Sequence, residues 1–422
     1  MKKSFTALLA LIVSVLLAAP VCAQENADSP FSAQALAQAA MKAPETGTDV
    51  ELPDEEEEDE NKWNWEFNVQ SGFWANQWGA TGGIQEYGAA GGWDYFGEGG
   101  NSAIGLNIDN TGFQLYEFYA AGSREYKLNE DWKFLVQSDF IYGTNGKYYQ
   151  SASRFDYMAL SKGQYGLAIA QLYAGIGTEK FNVIVGKFGC PIENPGDSFF
   201  FSISYNPWPY SHMGALATWE PSDDVSFTAG WTQGWDEAFD SESDSSLVWF
   251  GVSKQLTKAI RLSYTMCAGN MLTFENTYSH CLVLETKLSE KLTYYLEYDF
   301  MSLVNGIDGV PNSKLWGLNN CLIYEINEKV QAGIRFEYQE ELVADEVIGR
   351  FETTIGYSFK PFKSCSCKPK HKRSCLCADR ILSGELVIRP EIRYDSWNGM
   401  NVFNNSTKPY QFSGGVALDY SF

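Results

Sequence analysis

The stretch 410–422 constrains this chain most. Tyr410, Phe412, Val416, Leu418, Tyr420 and Phe422 fall on one face of an extended strand, and Gln411, Ser413, Asp419 and Ser421 fall on the other. A period of two places two different solvents on the two faces. With an aromatic residue closing the apolar face, the pattern suits a strand that crosses a bilayer and stops at its interface. The alternation recurs. In 329–339, Val330, Ala332, Ile334, Phe336 and Tyr338 oppose Gln331, Gly333, Arg335, Glu337 and Gln339, and in 386–395 Leu386, Ile388, Pro390, Ile392 and Tyr394 oppose Arg389, Glu391, Arg393 and Asp395. A soluble sandwich also alternates, but a regularity sustained over most of the chain outruns a domain of that kind.

Three parts follow from composition. Residues 1–23 read as an export signal: Met1-Lys2-Lys3, an apolar run from Leu8 to Ala19, and Val21-Cys22-Ala23 before the expected cleavage. Val21 is large for a lipoprotein box, so Cys22 is expected to leave with the signal, with lipidation the alternative. Residues 24–62 are rich in Ala, Glu and Asp, and the acidic block around 54–60 predicts a solvated periplasmic lead-in. Residues 63–422 carry the strands, beginning at the aromatic-polar run Trp63-Asn64-Trp65-Glu66-Phe67. No second apolar run is long enough for a transmembrane helix. The net charge of −22 excludes nucleic acid as a partner.

Connections alternate in length as an outer-membrane barrel requires, with short turns on the periplasmic side and long loops outside. Tight polar turns are expected at 129–131, 178–180, 221–224, 256–258, 289–291 and 326–329. Longer segments at 80–110, 143–165, 189–211, 235–243, 269–276, 304–313 and 398–408 lie between them. The fold class is therefore all-β, a transmembrane antiparallel barrel of about sixteen strands, within a range of about 14–18. At that size the lumen holds water rather than being filled by side chains.

Strand phase gives the inward charges: Lys133, Asp139, Arg261, Glu285, Lys287, Glu297, Asp299, Arg335, Glu337, Arg350, Glu352, Arg389, Glu391, Arg393, Asp395 and Asp419. Acids and bases nearly cancel, so at most a mild cation preference is expected. Those on the last strands could form a ladder of opposite charges with a field across the lumen, or ordinary cross-strand pairs that stiffen the wall. The loop 189–211 holds Phe199, Phe200, Phe201, Tyr205, Trp208 and Tyr210 among four prolines. Apolar bulk of that kind does not stand in water. It is expected to fold into the barrel mouth as a constriction, or to contact a second subunit.

Cys267 and Cys281 fall on consecutive strands and the same face, so a disulfide closing their loop is expected; Cys190 and Cys321 read as small apolar fillers. A basic hairpin at 363–379 carries Cys365, Cys367, Cys375 and Cys377 around His371. Thiolates at that spacing could hold zinc or copper(I), but in an oxidising compartment two disulfides are the expectation. No cofactor or metal is expected. Ser211-His212 and Ser279-His280 are neighbours that point to opposite faces of a strand, which leaves little for a hydrolase.

The segment Val183-Ile184-Val185-Gly186-Lys187-Phe188, Cys190-Pro191-Ile192-Glu193, Ser202-Ile203-Ser204 and 209–218, with the strand 389–395 and the closing Phe422, resembles the β-barrel porin-2, OmpL-like family. The resemblance implies a Gram-negative outer-membrane channel over 63–422, without the acidic lead-in or the Cys-rich insert. The expected function is passive diffusion of small hydrophilic solutes or ions, with membrane lipid around the barrel and a homo-oligomer as the expected assembly. A blocked structural or surface-display barrel is the alternative, and an outer-membrane hydrolase the third.

Overall fold

The computed structural model describes residues 63–78, 112–151, 155–156, 160, 165–192, 195–202, 204–205, 208–239, 245–271, 274–305, 312–343, 346–361, 384–399, 401, 403 and 407–422. The expected signal, the lead-in and the four cysteines of 363–379 lie outside them.

Sixteen strands make one closed antiparallel barrel in which each pairs with its sequence neighbours and the last returns to the first. They are β1 (Asn64–Asn76), β2 (Gly112–Lys127), β3 (Lys133–Gly143), β4 (Gly166–Gly177), β5 (Phe181–Gly189), β6 (Ser211–Ser222), β7 (Val225–Thr232) and β8 (Ser246–Thr257). The ring continues with β9 (Ile260–Met271), β10 (Phe274–Ser289), β11 (Leu292–Asn305), β12 (Ser313–Asn327), β13 (Val330–Val343), β14 (Glu346–Phe359), β15 (Glu385–Asn398) and β16 (Tyr410–Ser421). One helical turn, α1 (Gly146–Tyr149), follows β3.

Closure removes the sheet edges that would otherwise leave backbone groups unsatisfied in lipid. β1 and β16 run in register from Asn68 against Ser421 to Asn76 against Ser413. Phe67 and Phe422 exchange both backbone hydrogen bonds, at 3.0 and 2.9 Å. Pro390 sits inside β15 and has no N–H; beside it the β14–β15 pairing stops at Gly356 with Glu391 and resumes at Phe359 with Ile388.

Burial is inverted relative to a soluble protein. Ile392 is 68% exposed and Phe412 51%, while Gln411, Arg393 and Arg335 are fully buried. Apolar side chains point out and polar ones point in, as the alternation requires for a wall between lipid and lumen. Tight turns join β2–β3, β4–β5, β6–β7, β8–β9, β10–β11 and β12–β13 at the end that also carries both described termini. By the barrel rule, that end is periplasmic. There Trp65, Phe67 and Phe422 stack at centroid distances of 6.2 and 5.5 Å, the start of an interfacial aromatic girdle.

Candidate functional site: a loop laid across the lumen

The segment between β5 and β6 turns inward and reaches the far wall. β6 and β14 are eight positions apart in a ring of sixteen, so the tip crosses the barrel. Its foot stays near its own strands. Trp208 packs against Trp235 and Trp249, in an apolar cluster with Leu247, Met271 and Met301 on the lumen side. The return into β6 is fixed by Asp236, whose Oδ1 accepts the N–H groups of Tyr210 and Ser211, both at 2.9 Å. Asp236 adopts φ +50°, a left-handed conformation that aspartate tolerates. Burial lifts its carboxyl to about 6, against the opposing pull of the Ser211 N–H and the Lys187 ammonium. Tyr210 packs at a tilt against Tyr149 of α1, with ring centroids 4.9 Å apart.

Two things attract the tip, a hollow and a surplus of carboxylates. Gly333 and Gly356 stand opposite each other in the β13–β14 register, on the inward face. A Cβ on Gly333 would come within 2.5 Å of Phe199 Cε1, and one on Gly356 within 3.2 Å of Phe200 Cδ1. The phenyl rings occupy space that any other residue would fill. Phe201 lies farther on, against Trp74 at 5.2 Å and Tyr116 at 6.0 Å.

The charges around that hollow are not arranged as a ladder of opposites. Glu337 faces Glu352, and Glu352 faces Asp395, so one row across β13, β14 and β15 is entirely acidic. The next inward row is Arg335, Thr354 and Arg393. Ion pairs therefore run diagonally or along a strand: Arg335 to Glu352 at 3.2 Å, Arg393 to Glu352 at 3.8 Å and Arg393 to Asp395 at 2.8 Å. Like charges directly opposite are unfavourable unless something neutralises them, and two arginines here sit among Glu337, Glu352, Glu391 and Asp395.

The loop supplies the missing donors. Glu391 accepts the backbone N–H of Phe201 and, at 3.2 Å, that of Ser202. Glu337 accepts the N–H of Tyr205 at 3.0 Å, and Asp395 accepts the Tyr205 hydroxyl at 3.2 Å. Asp299 accepts the Trp208 indole N–H at 2.7 Å. In the other direction Arg335 donates to the Ser202 carbonyl at 2.9 Å, Gln339 to that of Tyr205 at 2.7 Å and Arg389 to that of Ser198 at 3.3 Å. Burial pushes the Tyr205 phenol well above its ordinary range, so it remains a donor. Hydrogen bonds to buried charges are worth about 1.5–3 kcal/mol each, which makes this network a strong anchor.

The expected lumen residues thus divide. Glu297, Asp299, Arg335, Glu337, Glu352, Glu391, Arg393 and Asp395 face inward but are buried beneath the loop. Arg350 is buried too, paired with Glu341 at 2.8 Å and laid over Trp397. Arg261, Glu285, Arg389 and Asp419 line open space; Asp139 borders it but is itself buried, accepting the Tyr119 hydroxyl at 2.6 Å, and Lys133 pairs with Glu125 at 2.7 Å on the exposed rim. That space is a cavity of about 1050 Å³ on the side of the loop that faces the tight-turn end. Its acidic lining is Glu66, Glu117, Asp139, Glu179, Asp197, Glu220, Glu285 and Asp419; its basic lining is Arg261, Arg335 and Arg389.

One expectation is corrected. Cys267 and Cys281 are free thiols. Cys267 pairs with Ser279 and Cys281 with Thr265, so the two sulfurs sit on a diagonal two residues apart. Diagonal Cα atoms in a sheet are about 7–8 Å apart, beyond the usual reach of a disulfide. Residues that phase alone did not single out also matter: Gly333 and Gly356 as the hollow, Ser202 and Gln339 as partners, Asp236 at the hinge. Gly333 carries a readable signal, since it interrupts the inward series between Gln331 and Arg335.

The family model described as "Putative beta-barrel porin-2, OmpL-like" matches residues 97–422. The match starts later than the span expected from the motifs, leaving β1 ahead of it. A search of curated proteins finds no match. Among solved structures, the anion-selective porin of Comamonas acidovorans superposes with a TM-score of 0.56 at 9% identity, covering 86% of this chain and 100% of that one. The outer-membrane channel DcaP of Acinetobacter baumannii gives 0.55 at 8% identity, covering 86% and 97%. OmpT of Vibrio cholerae, an outer-membrane protein in trimer form, gives 0.54 at 9% identity, covering 86% and 99%. Identities this low establish the fold only, whereas the family match covers most of the sequence. The chain belongs to the OmpL-like beta-barrel porin-2 family, and its place is the bacterial outer membrane.

Proposed function

We propose that the barrel is a non-enzymatic porin through which small hydrophilic solutes or ions diffuse down their gradient. The observation that carries this reading is the open cavity of about 1050 Å³, lined by charged as well as apolar side chains, that remains beside the inserted loop. Solutes would pass along the β1–β10 walls, which border the open cavity, and not along β13–β15, where the loop fills the space. Eight acidic against three basic lining residues leave the cavity wall net acidic, which favours cations. This differs from the selectivity stated for the Comamonas porin.

The burial of Arg335, Arg393 and Glu352 supports the second reading, a closed structural or display barrel. A hydrolase gains no support from the described histidines: His212 Nδ1 meets the Gly234 carbonyl and His280 Nδ1 meets the Tyr264 hydroxyl. Assembly as a homo-oligomer is proposed by likeness to the OmpT trimer, and mass measurement in mild detergent tests it. For the channel itself, planar-bilayer recording under a salt gradient decides. Ohmic steps with a cation-sign reversal potential are expected. Folded, heat-modifiable protein that never conducts would overturn the diffusion reading in favour of the closed barrel.

A further inference from the structure

Under the foot of the loop, the β10–β11 register collects a thiol and two carboxylates. Cys281 stands opposite Asp299, and Glu297 lies opposite Val283, two residues along the same inward face. One ligand atom from each of Cys281, Glu297 and Asp299 lies within 4.8 Å of the other two. All three side chains are buried. Cys281 borders the large cavity, which gives an entry path. Glu297 and Asp299 border a separate small cavity of about 10 Å³, lined also by Glu337, Asn319 and Gln339 and by no lysine or arginine. That is room for about one water or one bare cation.

We propose that Cys281, Glu297 and Asp299 bind one divalent transition-metal cation of borderline-soft character, of the Zn²⁺ class, with a water from the cavity in the fourth position. The thiolate separates this site from Mg²⁺ and Ca²⁺ sites, which are built from oxygen alone. On binding, the metal–sulfur bond forms as the thiol proton leaves to water, with no change in oxidation state. Asp299 has lone pairs enough to coordinate and still accept the Trp208 N–H at 2.7 Å. Trp208 then serves as an outer partner that orients a ligand, and the metal pins the foot of the constriction loop.

The probe is Cd²⁺, whose thiolate charge-transfer band in the ultraviolet reports sulfur ligation directly. Folded mature protein in detergent would be titrated in a background carrying Cys365→Ser, Cys367→Ser, Cys375→Ser and Cys377→Ser, which removes the other thiol cluster. One saturating equivalent is expected, retained in Cys190→Ser and Cys267→Ser and lost in Cys281→Ser. Glu297→Gln and Asp299→Asn should each weaken binding at least about tenfold. Absence of the band from folded background protein, or its survival in Cys281→Ser, overturns the site. Should Cys281→Ser fail to fold, the carboxylate variants decide: unchanged affinity in both overturns it equally.

Discussion

The two halves of the lumen are built from the same kinds of residue and do opposite things. Along β13–β15, Arg335, Arg393, Glu337, Glu352 and Asp395 are dry, paired diagonally or along a strand and covered by Phe199–Ser202 and Tyr205; along β1–β10, Glu66, Glu117, Glu220, Glu285 and Arg261 border open space. The difference lies in register and neighbours. Where Glu337, Glu352 and Asp395 face each other across three strands, carboxylates outnumber arginines, and the surplus calls in donors from elsewhere. A loop rich in free N–H groups and aromatic rings answers that need, with Gly333 and Gly356 leaving the space. On the other wall no such acidic row forms: Glu66 faces Ala121 and Glu285 faces Arg261, while Glu117 accepts from Asn145 at 3.0 Å and Asp139 from the Tyr119 hydroxyl at 2.6 Å, so no surplus is left to draw in a loop. An inward charge in a barrel is therefore as readily a loop anchor as a pore lining.

The largest effect should come from removing the shared acid of the dry half. Glu352→Ala leaves Arg335 and Arg393 short of their common partner, and breaking a buried pair in this way costs about 3–5 kcal/mol. The loop should detach, seen as larger and noisier single-channel steps and a lower urea midpoint. Unchanged conductance would mean that the loop holds without the ions. Next comes pH, acting through Asp236. Its folded value of about 6 lies above the ordinary aspartate value, so the folded hinge binds more protons than the unfolded chain between about 4 and 6. Its stabilising share is complete below about pH 4 and is lost as pH rises through 6, amounting to at most about 3 kcal/mol. Amide exchange at Tyr210 and Ser211 should thus show cheaper loop opening at pH 7 than at pH 5, a difference that Asp236→Asn abolishes.

Gly333→Leu comes third. Filling the hollow evicts Phe199, with an overpacking cost of about 1–3 kcal/mol. The tip should lift while the Arg335, Glu352 and Arg393 pairs survive, giving a wider channel with a smaller loss of stability than Glu352→Ala. Ion network and hollow would thereby be separated as causes.

How far the sequence spoke for each half follows from the same physics. Alternation in 329–339, 386–395 and 410–422 revealed the wall because inward and outward solvents differ at every second residue, and the succession of short turns and long loops revealed the strand number. The aromatic loop revealed itself because apolar bulk among prolines must be covered. What phase could not reveal was register. Whether Glu337 faces an arginine or Glu352 depends on a shift of two residues between strands, which leaves every side chain on its own face. The same limit misled the pairing of Cys267 with Cys281, both inward yet diagonal. Asp236 was equally hidden, since an acid in a run of acids looks solvated until its two N–H partners are seen.

The smallest structural effect, and the sharpest test of the wet half, is expected from neutralising its acids. Glu66, Glu220 and Glu285 border the cavity and stand away from the loop anchors. Their replacement together, by Glu66→Gln, Glu220→Gln and Glu285→Gln, should leave stability within about 0.5 kcal/mol for each site, as for surface substitutions generally. The reversal potential should nevertheless move toward zero, because three fixed negative charges leave the path that cations are proposed to take. The shift should be largest at low salt and fade as the screening length falls to about 3 Å at 1 M. The matched change on the dry side, Glu337→Gln, should do the reverse and alter step size and noise through the Tyr205 anchor with little change in selectivity. If instead Glu337→Gln shifts the reversal potential as much as the triple variant does, ions travel past β13 and the division of the lumen into a wet half and a dry half is wrong.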